Sequence, residues 1–205
     1  MTGLAAGKVI TGFSLPYVAL YHNTGGVVSY TGGRQLARGV KVNLSVETFD
    51  EKKFYADDVE SEVAPSRFRR GTVQLGVDGL LIDAEKMILG LPSPSTMTVD
   101  SASIDVYDYG DALEIPYVGI AYIVRYQSNG IELFTPTLLT KARFAMPAQV
   151  ANTQEEEIDF QTSDLSAALM RDDTTNHNWR RVAEDQETEA AALKIVKAFL
   201  QIGES

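Results

Sequence analysis

The sequence predicts a mainly β protein: an antiparallel β-sandwich or barrel carrying one short internal helix and a C-terminal helix. Three observations point there. Apolar and polar residues alternate cleanly from Val40 to Thr48, an Asn129-Gly130 pair sits between two long β-prone runs, and helical spacing of apolar residues occurs only around Leu81 to Leu91 and Glu187 to Ile202. Period-two alternation marks a half-buried strand, and Asn-Gly between such runs is the strongest short-range hairpin signal. Many strands with few helices argue packed or closed antiparallel sheets rather than an alternating α/β fold.

Leu15 to His22 is apolar and β-prone, Thr24-Gly25-Gly26 interrupts it, Val27 to Thr31 follows, and Thr31-Gly32-Gly33 interrupts again. Both glycine pairs read as turns, since glycine adopts positive φ without a steric cost. In the next strand Val40, Val42, Leu44 and Val46 share a face that should meet a core, opposite Lys41, Asn43, Ser45 and Glu47.

Phe49 to Arg70 has a different character. Asp50, Glu51, Asp57, Asp58, Glu60 and Glu62 lead, Pro65 interrupts, and Arg67, Arg69 and Arg70 close the stretch. Lys52 to Tyr55 could extend a strand; the remainder, about 56 to 70, reads as a long loop with a negative and a positive end. Loops longer than about 12 to 15 residues are usually functional or disordered. Asp57, Asp58, Glu60, Glu62, Arg67, Arg69 and Arg70 are therefore the candidate residues of an interaction arm.

Thr72 to Val77 resumes the alternation. Leu81, Ala84, Glu85, Ile88 and Leu89 then recur at helical spacing, with Asp83 near the start, Gly90 near the end, and Pro92 and Pro94 as stops. A polar stretch with Tyr107, Asp108 and Tyr109 precedes Pro116. Tyr117 to Tyr126 and Ile131 to Lys141 form the expected principal hairpin, with Pro136 suggesting an edge or bulge in its second strand. Ile158 to Thr162, Leu165 to Met170 and Trp179 to Val182 read as further strands. In the terminal helix, Ala191, Ile195, Ala198, Phe199 and Ile202 fall on one apolar face.

The chain has 205 residues, enough for one core and short for two, so a single domain over residues 1–205 is expected. No window approaches the roughly 20 apolar residues of a membrane-spanning helix, and MTGLAAGKVITGF lacks the regions of a signal peptide, which predicts a soluble protein. Cysteine is absent, excluding disulfides, thiolate metal sites and a cysteine nucleophile. The net charge is -10, and Gln154 to Glu189 alone holds eleven acids against Arg171, Arg180 and Arg181. A chain that grips DNA neutralises phosphates with clustered Lys and Arg, and this balance argues the opposite.

No residue set suggests catalysis or a cofactor. The two histidines, His22 and His177, lack ligand-type spacing and read as surface residues. Neither Thr-Gly-Gly carries the ending of a phosphate loop. Adjacent acids such as Asp57-Asp58 and Asp172-Asp173 would point to opposite sides of a strand and make poor catalytic pairs. Trp179 reads as a core or interface anchor, because such side chains bury large areas. An enzyme, a metal site and a cofactor are all unexpected.

Several segments, in order, resemble one family. They are Gly39 with its strand, Phe54-Tyr55-Ala56-Asp57-Asp58, Gly71-Thr72-Val73-Gln74-Leu75-Gly76-Val77-Asp78 leading into the helix, and Tyr117-Val118-Gly119-Ile120. Ile158-Asp159-Phe160-Gln161-Thr162, Leu165, Arg171-Asp172-Asp173 and Trp179 follow. The sequence resembles the major tail proteins, or tail tube proteins, of long non-contractile-tailed bacteriophages, especially the phi13-like group. No single motif is specific; their collinearity over most of the chain carries the likeness, and Met97 to Leu113 and the terminal helix depart from it.

The resemblance implies a β-sandwich with a packed helix, six copies to a ring, rings stacked into the tube of the virion tail, and DNA passing through without specific binding. It also implies a tape-measure protein and tail-end proteins as partners, and synthesis in the host bacterial cytoplasm. On that reading the arm from 56 to 70 would join stacked rings, and the long strands Tyr117 to Tyr126 and Ile131 to Lys141 would offer edges to neighbouring copies. Two alternatives share the composition: another ring-forming element, such as a tail terminator or secretion-tube ring, and a carbohydrate-binding sandwich using Tyr107, Tyr109 and Trp179.

Overall fold

Asn129 and Gly130 take positive φ values of 51° and 81°, and Ser128 pairs with Ile131 across them. This two-residue turn joins the two longest-paired strands of the molecule, as their sequence predicts. The computed structural model describes residues 7–56, 59–111, 113–148 and 162–203. Within them the order is β1 (Val9–Thr24), β2 (Val27–Gln35), β3 (Gly39–Thr48), β4 (Lys52–Ala56), β5 (Val59–Ala64), β6 (Phe68–Val77), α1 (Ile82–Leu89), β7 (Ser95–Val99), β8 (Ala102–Val106), β9 (Val118–Ser128), β10 (Ile131–Phe144), β11 (Ser163–Met170), β12 (Arg180–Val182) and α2 (Glu189–Phe199). The expected strand from Ile158 to Thr162 falls, but for Thr162, outside the described residues.

The fold is mainly β, with one antiparallel eight-stranded sheet in the order β2-β1-β9-β10-β11-β6-β3 and β12 added beside β10. β9 is the middle of the structure. Its even-numbered residues Val118, Ile120 and Tyr122 enter one buried cluster, with Val18 of β1, Leu75 of β6, Leu165 of β11 and Ile88 of α1. Its odd-numbered Ala121 and Ile123 enter another, with Ala19 of β1, Leu138 of β10, and Ala192 and Val196 of α2. A strand covered on both faces is apolar throughout, which explains the unbroken buried run from Val118 to Val124.

The first cluster is enclosed because the sheet curls. β6 and β11 come over β1 and β9, and the Phe13 ring of β1 lies against Gly39 of β3 so closely that a Cβ on Gly39 would sit 2.2 Å from it. No ladder joins β1 to β3 among the described residues, so the expected barrel does not close: β2 and β3 each pair along one side only. The free edges therefore belong to β2 and β3, and not to Tyr117 to Tyr126 and Ile131 to Lys141, which pair on both sides at the centre of the sheet.

Two bulges, in β2 and β10, change how the sequence pattern maps onto the sheet. Leu20 pairs with Thr31 but Val18 with Arg34, so β2 carries one extra residue, and Gly32 absorbs it at φ 65°. Thr31-Gly32-Gly33 is thus a bulge inside a strand rather than a turn, whereas Gly25 and Gly26 do form the β1–β2 turn, at φ 60° and 85°. In β10, Leu139 pairs with Ile120 but Ala142 with Val118, again one residue too many. This shifts the inward-facing positions from odd to even, so that Leu139, Ala142 and Phe144 all reach the first cluster. Pro136 itself lies earlier, where its carbonyl accepts from the Ala183 amide and only the short β12 covers that side.

α1 ends at Gly90, whose φ of 65° makes a left-handed cap, and buries Ala84, Ile88 and Leu89. Leu81, predicted on its apolar face, is the exposed N-cap. α2 begins when the Thr188 hydroxyl accepts from the Ala191 amide, and it buries Ala192 and Val196. That stripe is one residue round from the predicted Ala191, Ile195 and Ala198, while Phe199 and Ile202 of the predicted face do pack against the second cluster.

Candidate assembly surfaces

The basic end of the predicted arm is built by a third bulge. Glu47 of β3 pairs with Arg70 of β6, and Thr48 with Phe68, which leaves Arg69 unopposed and turned outward. Phe68 points inward, buried, and stacks on Trp179 with ring centroids 4.9 Å apart and planes at 12°. Phe49 follows β3; its amide donates to the Arg67 carbonyl at 2.8 Å, and its half-exposed ring lies under the Arg69 guanidinium at 5.7 Å. Arg70 donates to the Glu47 carboxylate at 2.7 Å, which holds Glu47 below the usual carboxylate range. Arg70 is therefore satisfied within its own sheet. Arg67 and Arg69 are exposed and form no salt bridge among the described residues, although the Arg69 charge adds to the lowering of Glu47.

The acidic end is not a loop. Lys52–Ala56 and Val59–Ala64 pair as β4 and β5 in a two-stranded sheet separate from the main one, with Phe54 opposite Glu62 and Tyr55 opposite Glu60. Asp57 and Asp58 lie outside the described residues, and of the Glu60 and Glu62 side chains nothing is described. At period two Glu60 and Glu62 fall on one side of Val59-Glu60-Ser61-Glu62-Val63 and Val59, Ser61 and Val63 on the other, a strand signal hidden by the high charge of the segment.

A second hairpin, β7–β8, was missed in the polar stretch after α1. Asp100 and Ser101 form its turn, at φ 48° and 68°. Aspartate tolerates this conformation, but Asp-Ser is a far weaker turn signal than Asn-Gly. The chain leaving β8 is tied to α1: the Tyr109 hydroxyl donates to Glu85 at 2.8 Å, and the Lys86 ammonium lies 4.3 Å over the Tyr107 ring.

The acid-rich region from Asp164 to Glu189 is held by paired charges. Lys141 donates to Asp173 at 2.7 Å, and so does the Tyr21 hydroxyl at 2.8 Å; together, the Lys141 bond first, they hold Asp173 below its usual range. Burial, reinforced by Asp173, pushes the Tyr21 hydroxyl up to about 12. Lys8 bonds Asp185 and Arg125 bonds Glu189. His22 contacts Thr31 and His177 the Asp172 carbonyl; among the described residues no acid or histidine cluster is arranged to hold a metal. The Ile195, Ala198 and Phe199 stripe of α2 lines an open groove of about 570 Å³ shared with Val27, Tyr30 and Arg181.

Trp179 lies beside Phe68, whereas Tyr107 and Tyr109 lie on α1. These rings do not make one platform. Compared with protein-family models and with curated proteins, the chain gives no match. No helix among the described residues is long and apolar enough to cross a membrane.

Proposed function

We propose that this chain is the major tail protein of a long non-contractile phage tail, a structural subunit whose hexameric rings stack into the conduit for DNA. The observation that carries the proposal is the open sheet: an eight-stranded antiparallel sheet that curls but, among the described residues, leaves β3 unpaired along its outer side. A ten-residue edge strand is a ready template for another chain, and lone proteins blunt such edges. In a ring each copy's edge is covered by a different surface of the next copy. That contact is heterologous and closes on itself, while stacking along the axis stays open. The collinear resemblance to tail tube proteins supports the same reading.

The charge fits a conduit. DNA carries a charge about every 1.7 Å along the duplex, and a net charge of -10 per subunit favours sliding over adhesion. Screening over about 8 Å restricts the effect to acids near the lumen. In the virion the tube would surround a tape-measure protein and end on terminator and tip proteins. The test is negative-stain electron microscopy of the concentrated chain, with and without tube fragments as seeds. Rings or hollow tubes are expected; a chain that stays monomeric with seeds present would refute the proposal.

A further inference from the structure

The β7–β8 hairpin has two unlike faces. Met97 pairs with Ile104, Val99 with Ala102 and Ser95 with Val106, so these side chains share one face, while Thr96, Asp105, Thr98 and Ser103 share the other. The first face is apolar, yet Met97, Val99, Ala102 and Ile104 are all exposed, Met97 by 51%. A two-stranded hairpin is at best marginally stable in water and needs a further strand or a helix against its apolar side. α1 holds only its base.

We infer that this apolar face is a docking surface for a second copy of the chain, and that it seats on the Phe49, Arg67 and Arg69 patch of that copy. The occupant follows from charge and position. Ser95 to Asp111 carries four acids, Asp100, Asp105, Asp108 and Asp111, and no Lys or Arg. Asp100 in the turn and Asp111 beyond β8 form no salt bridge among the described residues, which mirrors Arg67 and Arg69 beside the half-exposed Phe49 ring. An acidic, aliphatic surface and a basic, aromatic one are complementary, and complementary charge fixes register as well as partner.

The two surfaces also lie at opposite ends of one element. The basic patch is at the Phe68 end of β6, where Thr48 pairs with Phe68. The hairpin leaves from the other end: Tyr109, Glu85, Leu80 and Ser163 line one cavity, and Ser163 pairs with Val77, the last residue of β6. Ten strand residues separate the ends by about 30 Å. Within one molecule the two ends are too far apart for the surfaces to meet; copies aligned head to tail bring them together, which is the geometry of open stacking. The inference rests on the tube-subunit reading and names the surfaces through which rings would stack.

Because the chain contains no cysteine, the contact can be trapped directly. An Ile104→Cys copy mixed with a Phe49→Cys copy should form a disulfide-linked pair under assembling conditions and none under dissociating ones. Met97→Asp with Ile104→Asp should leave unfolding unchanged, because both side chains are exposed, and should raise the concentration needed for tubes about tenfold or more, as losing an apolar anchor does. Arg67→Glu with Arg69→Glu should do the same and be rescued by Asp100→Lys with Asp111→Lys. Tubes that form equally well from the Asp variant, or assembled chains that fail to cross-link between 104 and 49, would overturn the inference while leaving the tube reading intact. A wild-type chain that stays monomeric in the presence of seeds would overturn both.

Discussion

Gly119 sets how closely β2 and the end of α2 approach the central strand. A Cβ there would lie 2.4 Å from the Tyr30 ring and 3.0 Å from Leu200. Gly119→Ala should therefore overpack the second core and destabilise the fold by about 1–3 kcal/mol, measured by urea unfolding. Gly110→Ala, with nothing within 4 Å, should not. Ionisable residues give a second prediction. Asp173 and Asp185 are held below the usual carboxylate range, chiefly by hydrogen bonds from Lys141 and Lys8. Groups with depressed folded values stabilise the protein at neutral pH, and that contribution disappears as pH falls through those values. Tyr21, raised from 10 to about 12, acts in the opposite direction: its contribution is complete below pH 10 and is lost between 10 and 12. Melting temperature should fall on both sides; Asp173→Asn should flatten the acid limb and Tyr21→Phe the alkaline one.

Among the elements, the strands with period-two patterns or Asn-Gly turns were legible, because those signals are local. What was not legible depended on partners. Thr31-Gly32-Gly33 has turn composition, but β1 continues beside it and turns it into a bulge. α2 is apolar at Ala191, Ala192, Leu193, Ile195 and Val196 alike, so only packing against β9 and β10 decides which stripe goes inward. The charges of Arg67 and Arg69 were visible in sequence; their grouping with Phe49 arises from register. The β4–β5 hairpin stands apart from the main sheet, so replacing Lys52–Ala64 with a short Gly-Ser link should preserve cooperative unfolding and reduce assembly, read by circular dichroism and sedimentation. A deletion reaching Phe68 would instead remove a buried ring stacked on Trp179 and should destabilise the fold by about 3–5 kcal/mol. The terminal helix depends on its cap: Thr188→Ala should cost about 1 kcal/mol.

On the scale of the whole molecule, β2 and β3 each keep one unpaired side among the described residues, and on the proposed reading other copies complete them. The outer edge of β3 has no strand beyond it among the described residues, and in a tube it would meet the next copy. Amide hydrogen exchange, compared between dilute and assembled chain, tests it most directly. Alternate amides of Gly39 to Thr48, open in the monomer, should become protected on assembly, while β9 and β10 are protected throughout. An assembled chain whose β3 amides exchange as fast as in the monomer would contradict it.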